Sequence, residues 1–402
     1  MSLSLGINLA ITGQNGGGGG VVHPTPTQIQ IVASHTGIPS GTTQKTVTYV
    51  SNQGRLGHDI GNANVSNIQI WDGQFRLTPG SGAEVSSPAA DCTWQRSVET
   101  GAVTTRVTYD AGSNTKILSL GGLMTSDVIP GVTWAKNTRY YTRFYRTVPL
   151  DADSFSTMTL NGPASQGFRT SVTSQLMSNG ALNASGTGGG PAIWPFMITG
   201  IPDVPMPACV VVGDSIGHYL NDTNTSTTQG FLSRAFANVG GFVFPMHKQT
   251  IDANSINNQE IADAPLQKQI WPYATDLFIQ LGTNDIAGSA SLATMQARFS
   301  DLATYARGLT GPYGFRLRIH ASSIIPRGTF TGAMNTVRTD YNAWLAAGGG
   351  GLIDKYHDVN AAAGDFNTYP SDLIHPGPTD HANMAAVVAA NMVPYLDPYF
   401  GF

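Results

Sequence analysis

The stretch Ala208-Cys209-Val210-Val211-Val212-Gly213-Asp214-Ser215 begins with an apolar run and ends in small and polar residues. Five consecutive apolar residues are typical of a β-strand that is buried on both faces, as the strands of a parallel sheet are. The residues that follow are small or polar, which is typical of a tight turn. In open α/β sheets, ligands bind at the carboxyl ends of such strands. The stretch therefore predicts a buried strand that presents Ser215 at the edge of a parallel sheet.

Strands and helices alternate after this stretch. The predicted strands cover residues 277–281, 317–322 and 352–353, and the predicted helices cover residues 229–239, 292–309, 333–345 and 380–396. Alternation of this kind favours an α/β fold with a parallel sheet and helices on both faces. We therefore predict an α/β domain at residues 205–402.

The chain upstream has a β pattern instead. Polar and apolar residues alternate at 46–50, 103–109 and 140–146, with Gly, Asn, Asp and Pro between them. Short strands at this spacing predict a β-sandwich or jelly roll, which we place at residues 28–204. Its end, at 165–200, is rich in Gly, Ser and Asn and is interpreted either as a long loop or as part of the junction.

Five glycines at 16–20, with prolines close behind, predict a flexible linker within an N-terminal peptide at 1–27. The first 12 residues contain no Lys or Arg, so no recognisable signal peptide is expected. Export by another route, or assembly into a larger particle, stays open.

Composition narrows the classes of partner. The 402 residues carry a net charge of −4, which argues against a nucleic-acid partner. No run of about 18 apolar residues is present, so no membrane span is expected. The two cysteines, Cys92 and Cys209, resemble neither a disulfide framework nor a metal site.

Two further strings carry residues suited to acyl chemistry. In Gly282-Thr283-Asn284-Asp285, which follows the strand at 277–281, the Asn284 amide can donate to a developing oxyanion. In Asp372-Leu373-Ile374-His375, the carboxylate can accept the Nδ1–H of the histidine and turn Nε2 toward a nucleophile. Each string alone is more often a turn or a helix cap. Their shared position near strand ends is what favours an active site.

The order of the three strings and their flanking residues resembles the SGNH (GDSL-type) hydrolase superfamily over residues 206–402. The resemblance implies a flavodoxin-like, three-layer fold and a catalytic triad of Ser215, His375 and Asp372. It implies an oxyanion hole formed by the backbone N–H of Ser215 and the side chain of Asn284, and neither a cofactor nor a metal. The chain also resembles carbohydrate esterases that carry an N-terminal β-domain. Its glycine-rich start and low charge resemble those of phage or prophage esterases.

The superfamily usually supplies a third oxyanion donor from a glycine in its second block. The resemblance implies that Ala253, in Asp252-Ala253-Asn254-Ser255, stands at that position and keeps the backbone N–H, although alanine resists a positive φ. Gly240 or Gly241 is an alternative that lies earlier in the chain. His218, three residues after Ser215, is either a substrate contact or a cap of the first helical turn.

Three functions are compatible with these features. The favoured one is a serine esterase that removes a small acyl group, acetyl in the first instance, from a carbohydrate. The alternatives are a glycan-binding or particle-structural protein with a vestigial hydrolase domain, and a lipase or lysophospholipase. The polar segment Asn221-Asp222-Thr223-Asn224 near Ser215 favours a small acyl group on a polar carrier.

The N-terminal aromatic residues are interpreted either as core residues or as platforms for sugar rings: Trp71, Trp94, Trp134, Tyr140 and Tyr141.

Overall fold

The computed structural model describes residues 25–38, 44–45, 51–73, 75–78, 80–86, 91–119, 121–147, 153–154, 165–170, 174–182, 187–188, 195–223, 228–259, 265–370 and 372–401. The predicted linker at 16–20 and the predicted strand at 46–50 lie outside these residues.

The N-terminal half is made of β-strands, and the two larger sheets that they form are antiparallel. In chain order they are β1 Gln30–Ile31, β2 Thr36–Gly37, β3 Gln44–Lys45, β4 Ser51–Asp59, β5 Val65–Gly73, β6 Phe75–Leu77, β7 Glu84–Ser86, β8 Cys92–Thr100, β9 Val103–Arg106, β10 Lys116–Leu118, β11 Leu123–Thr125, β12 Arg139–Thr147, β13 Asp153–Ser154, β14 Ser165–Thr170, β15 Thr187–Gly188 and β16 Met197–Pro202. A four-stranded sheet has the order β1-β16-β5-β11, and a seven-stranded sheet has the order β10-β8-β12-β4-β14-β15 with β9 paired to β8. The strands β9 and β12 overlap the predicted strands at 103–109 and 140–146.

One hydrophobic cluster joins these two sheets. It contains Ile70 from the four-stranded sheet and Val98 and Phe144 from the seven-stranded one. Trp94 and Trp134 are fully buried in the same cluster, so these two aromatic residues belong to the core. Trp71, Tyr140 and Tyr141 are only partly buried.

The C-terminal half contains a parallel sheet, as the sequence predicts. Its strands are β17 Cys209–Gly213, β18 Met246–Thr250, β19 Asp276–Gln280, β20 Arg318–Ser322 and β21 Lys355–His357, in the order β2-β18-β17-β19-β20-β21. Every pairing in this sheet is parallel. The edge strand β2 comes from the range predicted as the accessory domain, so the N-terminal half contributes a strand to the second sheet.

Helices cover both faces of the parallel sheet. They are α1 Ser215–His218, α2 Phe231–Phe236, α3 Pro265–Lys268, α4 Thr283–Ala287, α5 Leu292–Arg307, α6 Gly332–Ala346 and α7 Pro378–Met392, with 3₁₀ turns at Asn257–Gln259, Trp271–Tyr273, Gly349–Gly351, Ala361–Ala363, Phe366–Thr368 and Val393–Leu396. Val210 and Val212 of β17 pack in one cluster with residues of α5 and α6, whereas Cys209 and Val211 pack in another with residues of α2 and α7. Burial of a valine side chain stabilises the folded state by about 1.5–3 kcal/mol. Because alternate valines of β17 are buried in different clusters, the strand is held between two layers of helices.

The predicted strand at Leu352 and Ile353 is wrong, because the strand begins later, at Lys355. The backbone N–H groups of Leu352 and Ile353 both donate to the carbonyl of Gly348, at 3.0 and 3.1 Å, and so do not join the sheet. Asp354 makes the first hydrogen bond to β20, through the carbonyl of Ile319 at 2.8 Å. The strand therefore begins only after the turn that ends α6.

Among the helices that the structure describes, none combines the length and the apolar character needed to cross a membrane. Cys92 and Cys209 are both buried, and neither is in a disulfide.

Candidate active site

Three neighbouring strands end together at one edge of the parallel sheet. Gly213, the last residue of β17, is in register with Thr250 of β18 and with Gln280 of β19. The loops that follow therefore leave the sheet side by side. They carry Ser215 after the central strand, and Asn284 after one of its neighbours.

A hydrogen-bonded relay connects Ser215, His375 and Asp372. The Oγ atom of Ser215 lies 2.8 Å from Nε2 of His375, and Nδ1 of His375 lies 2.6 Å from Oδ2 of Asp372. Ser215 is 8% exposed and His375 is 9% exposed, so both groups are largely shielded from water yet open to the surface. With Nδ1–H donating to the carboxylate, Nε2 is the atom that can accept the hydroxyl proton.

Asp372 is held in place by the backbone on its other oxygen. Its Oδ1 atom accepts the N–H groups of Ile374 and His375, both at 2.9 Å. Partial burial raises the pKa of Asp372, but the hydrogen bonds from His375 and Ile374 outweigh it and hold the pKa below its ordinary value. The carboxylate therefore stays ionised at neutral pH, which keeps it an acceptor for His375.

The turn that carries Ser215 is supported from within the sheet. Asp214 caps α1 by accepting the N–H of Ile216 at 2.9 Å. The Oε1 atom of Gln280 accepts the N–H groups of Asp214 and Gly217, at 3.1 and 2.9 Å. Burial raises the pKa of Asp214 to about 6. These bonds fix the backbone on both sides of Ser215.

Asn254 joins the turn that carries Ser215 to Asn284. The Nδ2 atom of Asn284 donates to the carbonyl of Asn254 at 2.8 Å, and Nδ2 of Asn254 donates to the carbonyl of Gly213 at 3.2 Å. An amide nitrogen has two N–H bonds, so the bond to Asn254 orients Asn284 while leaving its second N–H for another acceptor. Asn254 is fully buried.

Ala253 lies in the loop after β18 in a left-handed conformation, with φ of +59°. This conformation costs a non-glycine residue about 1–2 kcal/mol, and it persists only where neighbouring contacts enforce it. Asp285 supplies some of them, because its carboxylate accepts the N–H groups of Ile256 and Asn257 at 2.9 and 3.3 Å.

Gly240 and Gly241, the alternative to Ala253, lie in the turn closed by the bridge between Val239 and Phe242. That turn precedes β18 and is therefore at the amino edge of the sheet, opposite to Ser215. Ala253 lies beyond the carboxyl end of the same strand, at the edge that carries Ser215.

His218 and Lys248 are buried next to the turn that carries Ser215. His218 ends α1, is 6% exposed, and lies with Nδ1 at 3.2 Å from Oγ1 of Thr250. Burial lowers its pKa well below the ordinary value. Substrate contact by His218 stays a prediction.

The Nζ atom of Lys248 donates to the carbonyl of His218 at 2.5 Å. Burial lowers the pKa of Lys248 to about 7, although the negative charges of Asp252 and Asp222 act to raise it.

We expect Lys248→Met to stabilise the protein most below about pH 7. A buried lysine with a folded pKa near 7 binds fewer protons than the unfolded chain between pH 7 and 10.5, so wild-type stability rises with pH across that window. The difference in Tm between variant and wild type should therefore shrink from pH 7 to pH 10. Lys136→Met, at an exposed site, controls for the loss of one charge. A difference that stays constant with pH would contradict this assignment.

Two further histidines, His381 and His320, have structural partners. The Nδ1 atom of His381 accepts the N–H of Phe231 at 3.1 Å, and its Nε2 donates to the carbonyl of Leu220 at 3.1 Å. His320 lies with Nε2 at 2.8 Å from Asp276, in the sheet interior.

Sequence reasoning missed two residues that build the site, Gln280 and Asn254. Gln280 had a visible signal, because it is the polar residue in the otherwise apolar run Leu277-Phe278-Ile279-Gln280-Leu281. Asn254 lies in the stretch Asp252-Ala253-Asn254-Ser255, in which the family resemblance assigns a role only to Ala253. No local sequence pattern indicates that Asn254 connects the ends of two strands.

Neither a protein-family model nor a curated protein sequence matches this chain. Solved structures give distant likenesses. A lipase from a goat rumen metagenome is 14% identical, with 46% of this chain and 98% of that chain covered, at a TM-score of 0.39. A member of the lipolytic G-D-S-L family from Veillonella parvula is 15% identical, with 45% and 94% covered, at 0.37.

An active-site mutant of a family two carbohydrate esterase from Clostridium thermocellum is 12% identical, and the likeness covers 88% of this chain and 98% of that chain at a TM-score of 0.34. TM-scores below 0.5 do not establish a shared activity. The chain is similar to solved structures of GDSL-type lipolytic proteins and carbohydrate esterases.

Proposed function

We propose that this protein is a serine ester hydrolase of the SGNH type. The observation that carries the proposal is the relay from Ser215 through His375 to Asp372, with distances of 2.8 and 2.6 Å, at the carboxyl edge of a parallel sheet. A hydroxyl, a properly oriented imidazole and a carboxylate are the parts that nucleophilic acyl transfer requires.

The reaction proceeds in two acyl-transfer steps. Oγ of Ser215 attacks the acyl carbonyl carbon while Nε2 of His375 takes the hydroxyl proton. The tetrahedral intermediate collapses, the alcohol leaves with the proton from His375, and the acyl group stays on Ser215. Water then attacks the acyl-enzyme with His375 again as base, which releases the acid and restores Ser215. Proton transfer by a positioned histidine contributes roughly 10² to 10⁴ in rate.

The oxyanion is held by three donors in this mechanism. They are the backbone N–H of Ser215, the second amide N–H of Asn284 and the backbone N–H of Ala253. The positions of Asn284 and Ala253 support the assignment, because both follow strands that flank β17. No step requires a metal or an organic cofactor.

The substrate we propose is a carbohydrate that carries small acyl esters, acetyl in particular. The surroundings of the triad are polar: Asn221 donates to the carbonyl of His375 at 3.2 Å, and the buried Asp222 pairs with Arg234. Such surroundings suit a hydroxylated carrier better than a long alkyl chain. We further propose that residues 28–204 form an accessory domain of the β-sandwich or jelly-roll type and that residues 205–402 form the catalytic domain.

The test compares aryl acetate with aryl octanoate, and then measures acetate release from a panel of O-acetylated glycans. The proposal predicts faster hydrolysis of the acetate and release of acetate from at least one glycan. Faster hydrolysis of the octanoate would favour a lipase. Absence of ester hydrolysis and of fluorophosphonate labelling, together with tight glycan binding, would favour a glycan-binding protein.

A further inference from the structure

The hairpin formed by β6 and β7 extends from the N-terminal half to the edge of the sheet that carries Ser215. Its residues Phe75 and Leu77 are fully buried in the hydrophobic cluster that contains Val210 and Val212 of β17. The backbone N–H of Gly80, in the turn between the two strands, donates to the carbonyl of Asp252 at 3.0 Å. The hairpin is thus packed and hydrogen-bonded against the active-site half.

Gly82, in the same turn, makes the closest approach. It is buried, has a φ of +61°, and donates its N–H to the carbonyl of Thr78 at 2.9 Å. A Cβ atom at this position would lie 2.3 Å from Oδ1 of Asn254 and 2.9 Å from its Cγ atom. The absence of a side chain at Gly82 is therefore what allows the turn to rest directly on Asn254.

Asn254 is not free to move away from such a Cβ atom. Its Oδ1 atom accepts the N–H of Ser255 at 3.0 Å and Nε2 of Gln259 at 3.4 Å. Its Nδ2 atom donates to the carbonyl of Gly213, the residue two before Ser215. A displaced Asn254 side chain would lose these bonds, and its backbone carbonyl holds the amide of Asn284.

The hairpin touches the loop on both sides of Ala253. Gly80 bonds to Asp252 before it, and Gly82 contacts Asn254 after it. Ala253 holds a left-handed conformation that only surrounding contacts maintain. The hairpin supplies two of these contacts from a part of the chain about 170 residues away.

A second anchor fixes the hairpin itself. The carboxylate of Glu84, at the start of β7, accepts the N–H groups of Leu266 and Gln267, at 3.0 and 2.6 Å, in the first turn of α3. Burial raises the pKa of Glu84, and these two N–H groups oppose that rise by stabilising its anion. The turn between the strands is thus held against the active-site half on two sides.

We propose that the turn at Gly82 is a positioning element that holds Ala253, Asn254 and, through Asn254, the amide of Asn284 in place for the oxyanion. This inference rests on the proposed esterase function. It assigns to the N-terminal half a direct part in the chemistry, beyond any role in binding a carrier. Gly82 itself touches no reacting atom.

The test compares Gly82→Ala with Gly101→Ala. Both glycines have a φ of +61°, so alanine meets the same backbone strain at each, but a Cβ atom at Gly101 has no neighbour within 4 Å. Gly82→Ala should lower kcat for an aryl acetate by at least about tenfold with KM within about twofold, because loss of one oxyanion donor costs about 10² to 10³. Gly101→Ala should leave both constants near those of the wild type.

Hydrogen exchange of residues 251–257 gives a second readout, and it should quicken in Gly82→Ala but not in Gly101→Ala. If Gly82→Ala does not fold, Glu84→Gln tests the same turn without a new Cβ atom, because its single amide oxygen replaces the two carboxylate oxygens that accept the N–H groups of Leu266 and Gln267. Exchange at residues 251–257 should then quicken and kcat should fall, and no change in either would overturn the inference. An active wild type with equal kcat in both glycine variants overturns this inference alone. A wild type without esterase activity overturns the proposed function, and this inference with it.

Discussion

Ser215→Ala should reduce kcat for aryl acetate hydrolysis by a factor on the order of 10⁶, as loss of a serine nucleophile does elsewhere. The substitution removes the only atom of this residue that can bond to the acyl carbon, and Nε2 of His375 loses its partner at 2.8 Å. Because Ser215 is small and its side chain makes none of these bonds, the backbone bonds of its turn should persist. The measurement is steady-state kinetics on purified wild type and variant.

Ser300→Ala is the matched control for this substitution. Ser300 lies on α5, is only partly buried, and has no part in the proposed mechanism. A change of this kind on a helix surface usually alters stability by less than about 0.5 kcal/mol. We expect Ser300→Ala to retain wild-type kcat and both variants to keep a similar Tm. Activity of Ser215→Ala within tenfold of wild type would remove Ser215 from the nucleophile role.

Asp372→Asn should lower kcat by about 10⁴-fold while leaving the fold intact. The N–H groups of Ile374 and His375 need an oxygen acceptor, so the asparagine carbonyl should take the place of Oδ1. The amide NH₂ then faces Nδ1 of His375 and cannot accept its proton. The ring is driven to the tautomer with the proton on Nε2, which can no longer take the proton of Ser215.

Asp358→Asn is the control for this change. Asp358 is exposed and accepts the N–H of Asn360, two residues on, as Asp372 accepts that of Ile374. It lies outside the proposed machinery, so its substitution should leave kcat unchanged. A loss of less than tenfold in Asp372→Asn, with Tm preserved, would show that His375 does not depend on Asp372 for its tautomer.

The parallel sheet and the Asp372–His375 contact could be predicted from the sequence because each depends on residues that lie close together in the chain. The contact between Ser215 and His375 spans 160 residues and was implied only by the family resemblance. A continuous apolar run such as the one in β17 packs on both faces, and the turn after it must lie at a sheet edge. The spacing of three between Asp372 and His375 allows their contact within a single turn. The position of β21 was wrong, because the N–H groups of Leu352 and Ile353 bond to Gly348 rather than to the sheet. The strand β18 was not predicted at all.

The supports of the site were not accessible in this way, because they join distant parts of the chain. Gln280 reaches Asp214 across 66 residues, and Asn284 reaches Asn254 across 30. The approach of Gly82 to Asn254 depends on how the two halves dock, which no period or motif in either half encodes. Likewise, two residues at Thr36–Gly37 are too short to predict as a strand, and only their pairing with β18 makes them one.

The central claim is that Ser215 is the nucleophile of a working active site, and covalent labelling tests it most directly. Wild-type protein is treated with a small fluorophosphonate, digested, and mapped by mass spectrometry, with Ser215→Ala and Ser300→Ala treated in parallel. We predict one adduct per chain, on Ser215, in the wild type and in Ser300→Ala, and none in Ser215→Ala. Absence of an adduct in a wild type that hydrolyses aryl acetate, or an adduct on a different residue, would contradict the account.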